Sequence, residues 1–386
     1  MAHRAQVRRS GTAHLVERSD LTKIVIGWVA FGVLILAAPL LEPPVPAPVL
    51  VIALVGIVGA IVLCAFGVVK QAEALAHRLG DPYGSLVLTL SIVLIEVVLI
   101  AAVMLGPGEH TTIARDSVMA VAMIILNLVI GLALLVSGLR HGDREPNRTG
   151  VSAYLAVLVV LVTLAFALPT MIGDAGSYRP AQAIPVVILT IAFYAFFLYR
   201  QTGAQAADFQ EVDQPGSPTA SAQPARPSIG ATLAAHRREI VTRLVVLVVT
   251  VLPIVLLSHD MATLLDDGLG RLGAPSALGG VLIAMIVFLP ESITTIRAAL
   301  SGEIQRVSNL CHGALLSTVG LTIPVVLVIG MLTGQSVVLA ESPANLLMLG
   351  VTLLLSVATL ASKKVTAMHG AAHLVAFAAY AIALFS

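Results

Sequence analysis

The sequence predicts an all-α polytopic membrane protein of eleven transmembrane helices, ten of them in two inverted five-helix repeats behind an extra N-terminal helix. Three observations predict it. Of 386 residues, 58% are hydrophobic and 11% charged, with a mean hydropathy of +0.98, whereas a soluble domain carries about 25% charged residues. Eleven apolar runs approach the length of about 20 residues that crosses a bilayer. Nineteen of the 22 Lys and Arg residues fall on one side, in the N-terminal tail, in alternate segments between those runs or at the run ends that adjoin them, which is the asymmetry of cytoplasmic loops.

Residues 1–20 form a polar, basic tail with Arg4, Arg8, Arg9 and Arg18, expected in the cytoplasm. No small-residue cleavage site follows a short apolar core, so 21–41 reads as a retained first helix rather than a signal peptide. The first repeat, 49–200, holds runs at 49–69, 85–106, 117–139, 151–172 and 181–200. Its last run carries Pro185 and ends in Phe193, Tyr194, Phe196, Phe197 and Tyr199, an aromatic cluster suited to the membrane interface. Residues 201–240 are rich in Pro, Ser, Ala and Gln and predict a disordered or loosely helical cytoplasmic linker. The second repeat, 241–385, holds runs at 241–258, 275–297, 309–331, 343–361 and 365–385. Five is an odd number, so the second group starts from the opposite side and is inverted. The N-terminus is then cytoplasmic and the C-terminus outside.

Two acids stand alone in these runs, Glu96 in LVLTLSIVLIEVVLIAAVML and Glu291 in ALGGVLIAMIVFLPESITTI. A carboxylate at mid-bilayer costs about 2.5–3.5 kcal/mol on the insertion scale, and its usual use is to bind or move something. Each lies on the second span of its repeat, so inversion brings them together at the midplane, as in secondary transporters. Two carboxylates in a low-dielectric site can be protonated, share a proton, or hold a cation. Protons and cation then compete for one site.

A hard cation wants about 6–8 oxygen ligands, more than two carboxylates supply. Thr89 lies seven residues before Glu96 and Thr295 four after Glu291, each on its glutamate's helical face, and Ser292 is adjacent. Pro290 lacks an N–H and opposes continuous helix, which frees carbonyl oxygens beside Glu291. Asn127 and Ser317 occupy comparable places on the following spans, before Gly131 and Gly320, which admit close helix approach. Packing contacts explain Asn127 and Ser317 equally well. No Cys or His cluster accompanies them, which disfavours a soft or zinc-type site.

These residues resemble a known family. The Glu-bearing span followed by a small-residue-rich span, repeated once inverted, is similar to the calcium/cation antiporter superfamily. So are the LPES segment and the NxxxGxxxSxxGLTIP run of Asn309, Gly313, Ser317, Gly320, Leu321, Thr322, Ile323 and Pro324. Within it, GDPYGSLVLTLSIVLIEV and VFLPESITTIRAAL are most similar to the bacterial ChaA-type calcium/proton and sodium-potassium/proton antiporters. The resemblance covers about 49–385. It implies a ten-helix core in a bacterial inner membrane, cation and proton binding by Glu96 and Glu291, and cation efflux driven by proton entry. Calcium is the expected cargo, with sodium or potassium as the alternative; no cofactor is expected. The first repeat departs from the second: Ile95 stands where Pro290 does.

Other features read more simply. Asn309 and His312 suit either a proton path or a solvated helix end. His369 and His373 have metal-pair spacing but no acidic or Cys partner, so an interfacial role is expected. His259, Asp260, Asp266 and Asp267 read as a solvated acidic loop, and Cys64 and Cys311 as small lipid- or core-facing residues. A formal net charge of +1 gives no reason to expect a nucleic-acid partner. The absence of HExxH, GxSxG and paired membrane aspartates argues against an intramembrane enzyme.

Overall fold

In the computed structural model the described residues are 17–42, 44–79, 90, 93–94, 96–98, 100–101, 104–105, 111–212, 229–274 and 277–385. They form α1 (Arg18–Ala37), α2 (Ala47–Leu79), α3 (Ile113–His141), α4 (Arg148–Ile172) and α5 (Pro180–Thr202). After the linker come α6 (Ile229–Leu272), α7 (Ala277–Ser301), α8 (Ile304–Thr333), α9 (Pro343–Ala361) and α10 (Ala367–Leu384). Between α2 and α3, Glu96 and its described neighbours are also helical, so most of the run expected at 85–106, Thr89 included, lies outside the described residues. Eight of these helices are long and apolar enough to cross a bilayer, and bent α7 makes a ninth.

Local chemistry sets the ends. Asn147 and Ser342 cap α4 and α9 by accepting from Gly150 and Asn345 N–H groups, and Pro180 and Pro343 occupy first turns where no N–H is needed. Gly334, at φ 73°, closes α8. α7 bends by 58° between Leu278–Ile286 and Glu291–Ser301, the stretch in which the sequence places Pro290.

Among the described residues three helices contain π turns: Ile124–Val129 in α3, Thr163–Ala167 in α4 and Thr318–Thr322 in α8. In α4 the loosened carbonyls find other donors, Tyr178 Oη to Leu164 O at 2.6 Å and Glu341 N–H to Phe166 O at 3.3 Å.

α3 and α8 are the most enclosed long helices, and α1 the least. α7 packs along α3, while α1 lies against α2 and α6. Lys70 ties α1 down, 2.7 Å from Glu17 and 2.8 Å from Asp20, and Trp28 Nε1 donates to Val249 O at 3.2 Å.

Two sequence expectations change. The run at 241–258 lies inside α6, which is kinked at His236 (φ -118°, ψ 19°) and helical from there to Leu272, so His259, Asp260, Asp266 and Asp267 lie on α6 and not in a loop. Asp267 holds Arg271 one turn on and accepts from Val45 N–H at 3.2 Å. Apolar counting stopped at the first charged residues, yet i,i+4 pairs such as this sustain a polar helical turn.

The linker is also shorter than its composition suggests. Residues 203–212 dock on the ends of α4, α5 and α8. Phe209 meets the Tyr154 ring edge-on at 5.2 Å and Phe197 at 5.8 Å. Asn309 Nδ2 donates to Phe209 O at 2.7 Å, and Glu211 Oε1 accepts from Arg306 N–H at 2.8 Å at the start of α8. Gly150 makes room for this strap, because a Cβ there would collide with the Asp208 carbonyl.

Candidate cation site

Glu96 and Glu291 are both buried, 4% and 5% exposed. Glu96 Oε2 accepts from Thr318 Oγ1 at 2.5 Å. Among the described residues, its other oxygen and both oxygens of Glu291 meet no hydrogen-bond partner. Thr318 opens the π turn of α8 and Thr322 closes it; Thr322 Oγ1 is likewise buried and unpartnered. An unsatisfied buried polar atom costs about 1–3 kcal/mol. Four such oxygens lie on Glu96, Glu291 and the α8 π turn, and each of the two carboxylates calls for a proton or a cation.

The remaining expected ligands divide. Thr295, one turn beyond Glu291, is fully buried and is met by Cys311 Sγ at 3.9 Å. Ser292 turns back to its own helix, donating to Phe288 O at 2.8 Å. Ser317 Oγ donates to Gly313 O at 2.8 Å and meets Tyr194 Oη at 2.7 Å. Asn127 is fully buried, with Nδ2 donating to Thr352 Oγ1 at 2.8 Å and Oδ1 3.3 Å from His373 Nδ1. Both ends of its amide are therefore engaged by α9 and α10.

The histidines depart from the simple readings. His373 is 1% exposed, and its Nε2 lies 3.2 Å from Thr359 Oγ1, so it is a core residue and not an interfacial one. His369 instead caps α10 by accepting from Thr366 N–H at 3.1 Å. His312 is buried, bonded to Ser308 and stacked on Tyr154 at 5.9 Å, so it is no solvated helix end. With Ser308, Ser356 and Thr359, the two buried histidines line a cavity of about 30 Å³, room for a water molecule. Asn309 binds the strap, as described above. Cys64 and Cys311 are buried free thiols.

The sequence reading did not single out Thr318, Thr322 or Tyr194 as site residues. The hydroxyls of STVGLT were the available signal, but which of them faces a glutamate depends on the π turn.

The chain matches the family model of the sodium/calcium exchanger protein over residues 49–203 and again over 242–386. It is 35% identical over 318 residues to the putative ionic transporter y4hA of Sinorhizobium fredii (strain NBRC 101917 / NGR234), covering 82% of this chain and 83% of that one. It is 30% identical over 369 residues to the sodium-potassium/proton antiporter ChaA of Escherichia coli (strain K12), covering 96% and 97%. The solved structure of YfkE, a Ca2+/H+ antiporter protein, superposes with a TM-score of 0.67 at 16% identity, covering 94% of this chain and 99% of that one. The chain therefore belongs to the sodium/calcium exchanger protein family, and is a multi-pass secondary transporter of cations rather than an enzyme.

Proposed function

We propose that the protein exports calcium in exchange for protons across a bacterial inner membrane, with Glu96 and Glu291 binding the two cargoes in alternation. The observation that carries this reading is the burial of both carboxylates, three of whose four oxygens have no partner among the described residues. Two carboxylates balance one divalent ion, and two protons discharge the same pair. Thr318 and Thr322 add hydroxyl oxygens, which suits the all-oxygen preference of a hard cation. The names of the structural neighbours, Ca2+/H+ antiporter protein YfkE and H+/Ca2+ exchanger CAX, agree with it. The concentration of Lys and Arg on alternate segments supports a cytoplasmic N-terminus.

A second reading is favoured by the name of ChaA, a sodium-potassium/proton antiporter. With one proton retained, the same pair balances one monovalent ion. Inside-out vesicles separate the two. Calcium-induced proton release, abolished by Glu96→Gln and by Glu291→Gln, is expected; release on sodium or potassium alone overturns the calcium assignment.

A further inference from the structure

The π turns of α3 and α8 are each gripped by the last helix of the opposite half of the chain. A π turn is a local departure from the α-helical hydrogen-bond ladder, seen mostly as single turns at functional sites. In α8 the grip comes from α5. Ser317, immediately before the turn, spends its proton on Gly313 O, so Tyr194 Oη is the donor in its 2.7 Å contact with Ser317 Oγ. Inside the turn, Gly320 lies flat against the same ring: a Cβ there would sit 2.8 Å from Tyr194 Cγ. Tyr194 thus holds both sides of Thr318, the residue that donates to Glu96.

In α3 the grip comes from α10. Asn127 lies inside the turn Ile124–Val129 and meets His373, while Gly131 just beyond it abuts Gly370 O. The recurrence of an aromatic polar side chain and a glycine at both turns marks the contact as a built feature of the two halves.

We infer that Tyr194 is a positioning residue for transport: by fixing Ser317 and Gly320 it sets the α8 π turn so that Thr318 Oγ1 meets Glu96. The inference rests on the reading of Glu96 as a cation ligand. Tyr194 itself touches neither carboxylate in the hydrogen bonds of the site, so its effect passes through Ser317 and Thr318.

The test uses the full chain in proteoliposomes, with calcium, sodium and potassium each supplied as the driving cation. Tyr194→Phe keeps the ring against Gly320 and removes the hydroxyl; Ser317→Ala removes the other partner. Each is expected to raise the KM for the transported cation about two- to tenfold, the loss of one hydrogen bond's net worth, and to displace the pH profile. The thermal midpoint in detergent should hold, and the double variant should show no more than the larger single effect. Unchanged KM and pH profile in both variants, or a loss explained by a lowered thermal midpoint alone, overturns the inference. Glu96→Gln is run alongside. If it transports normally, the reading of Glu96 fails; if it is inactive while Tyr194→Phe matches wild type, only the positioning role fails.

Discussion

Thr318 donates to Glu96 from the other half of the chain, 222 residues away, while the second oxygen of Glu96 has no partner among the described residues. This hydrogen bond steadies the carboxylate without satisfying it. Hydrogen bonds to charged groups are worth about 1.5–3 kcal/mol, so Thr318→Ala is expected to weaken apparent cation affinity about ten- to hundredfold. Thr318→Ser keeps the donor and should stay near wild type. Cation-dependent proton flux in proteoliposomes, measured against cation concentration, checks both.

Glu291→Gln should stabilise the fold as it abolishes transport. Both oxygens of the native side chain are buried and have no partner among the described residues, and a neutral amide costs less to bury than a carboxylate. A gain of about 1–3 kcal/mol is expected, seen as a higher thermal midpoint in detergent without added cation. A lower midpoint would count against the unpaired state of this carboxylate.

Glu341, in the segment between α8 and α9, supplies a pH dependence of stability. Burial holds its carboxyl above the usual value, against the opposing pull of Asn345 and Arg115. The folded state therefore binds this proton more tightly than the unfolded chain. Its contribution is fully present below about pH 4.3, the ordinary glutamate value, and is lost as pH rises through the folded value. Glu341→Gln should flatten that decline in a plot of thermal midpoint against pH.

Gly150→Ala should push the strap off α4, since the new Cβ meets the Asp208 carbonyl. Overpacking of this kind costs about 1–3 kcal/mol. Limited proteolysis near residues 205–211 should accelerate. Gly350→Ala on α9, where no atom lies within 4 Å, is the control and should be neutral or stabilising by up to about 1 kcal/mol.

What could be read from the residues alone follows from where the physics acts. Glu96 and Glu291 stood out because a lone acid in an apolar run is costly wherever the run ends up, and both are buried. The apolar runs located the helices, but α6 extends through charged turns at both ends that carry no hydropathy signal. Thr318 was invisible because the π turn alters which hydroxyl of STVGLT faces Glu96, and no composition rule encodes that turn. His373 was misjudged for a related reason. Its spacing from His369 describes one helix, whereas its neighbour Asn127 lies 246 residues away in sequence.

The docked strap also bears on covalent continuity. Phe209 and Glu211 belong to the end of the first half, yet Asn309 and Arg306, at the start of α8, hold them. At the other end of the bundle, Glu341 N–H reaches back to the carbonyl of Phe166. The halves are thus clasped at both ends by contacts independent of residues 213–228. A gene divided within that stretch is expected to yield two polypeptides that find each other in the membrane, with the strap acting as the first fragment's handle on the second.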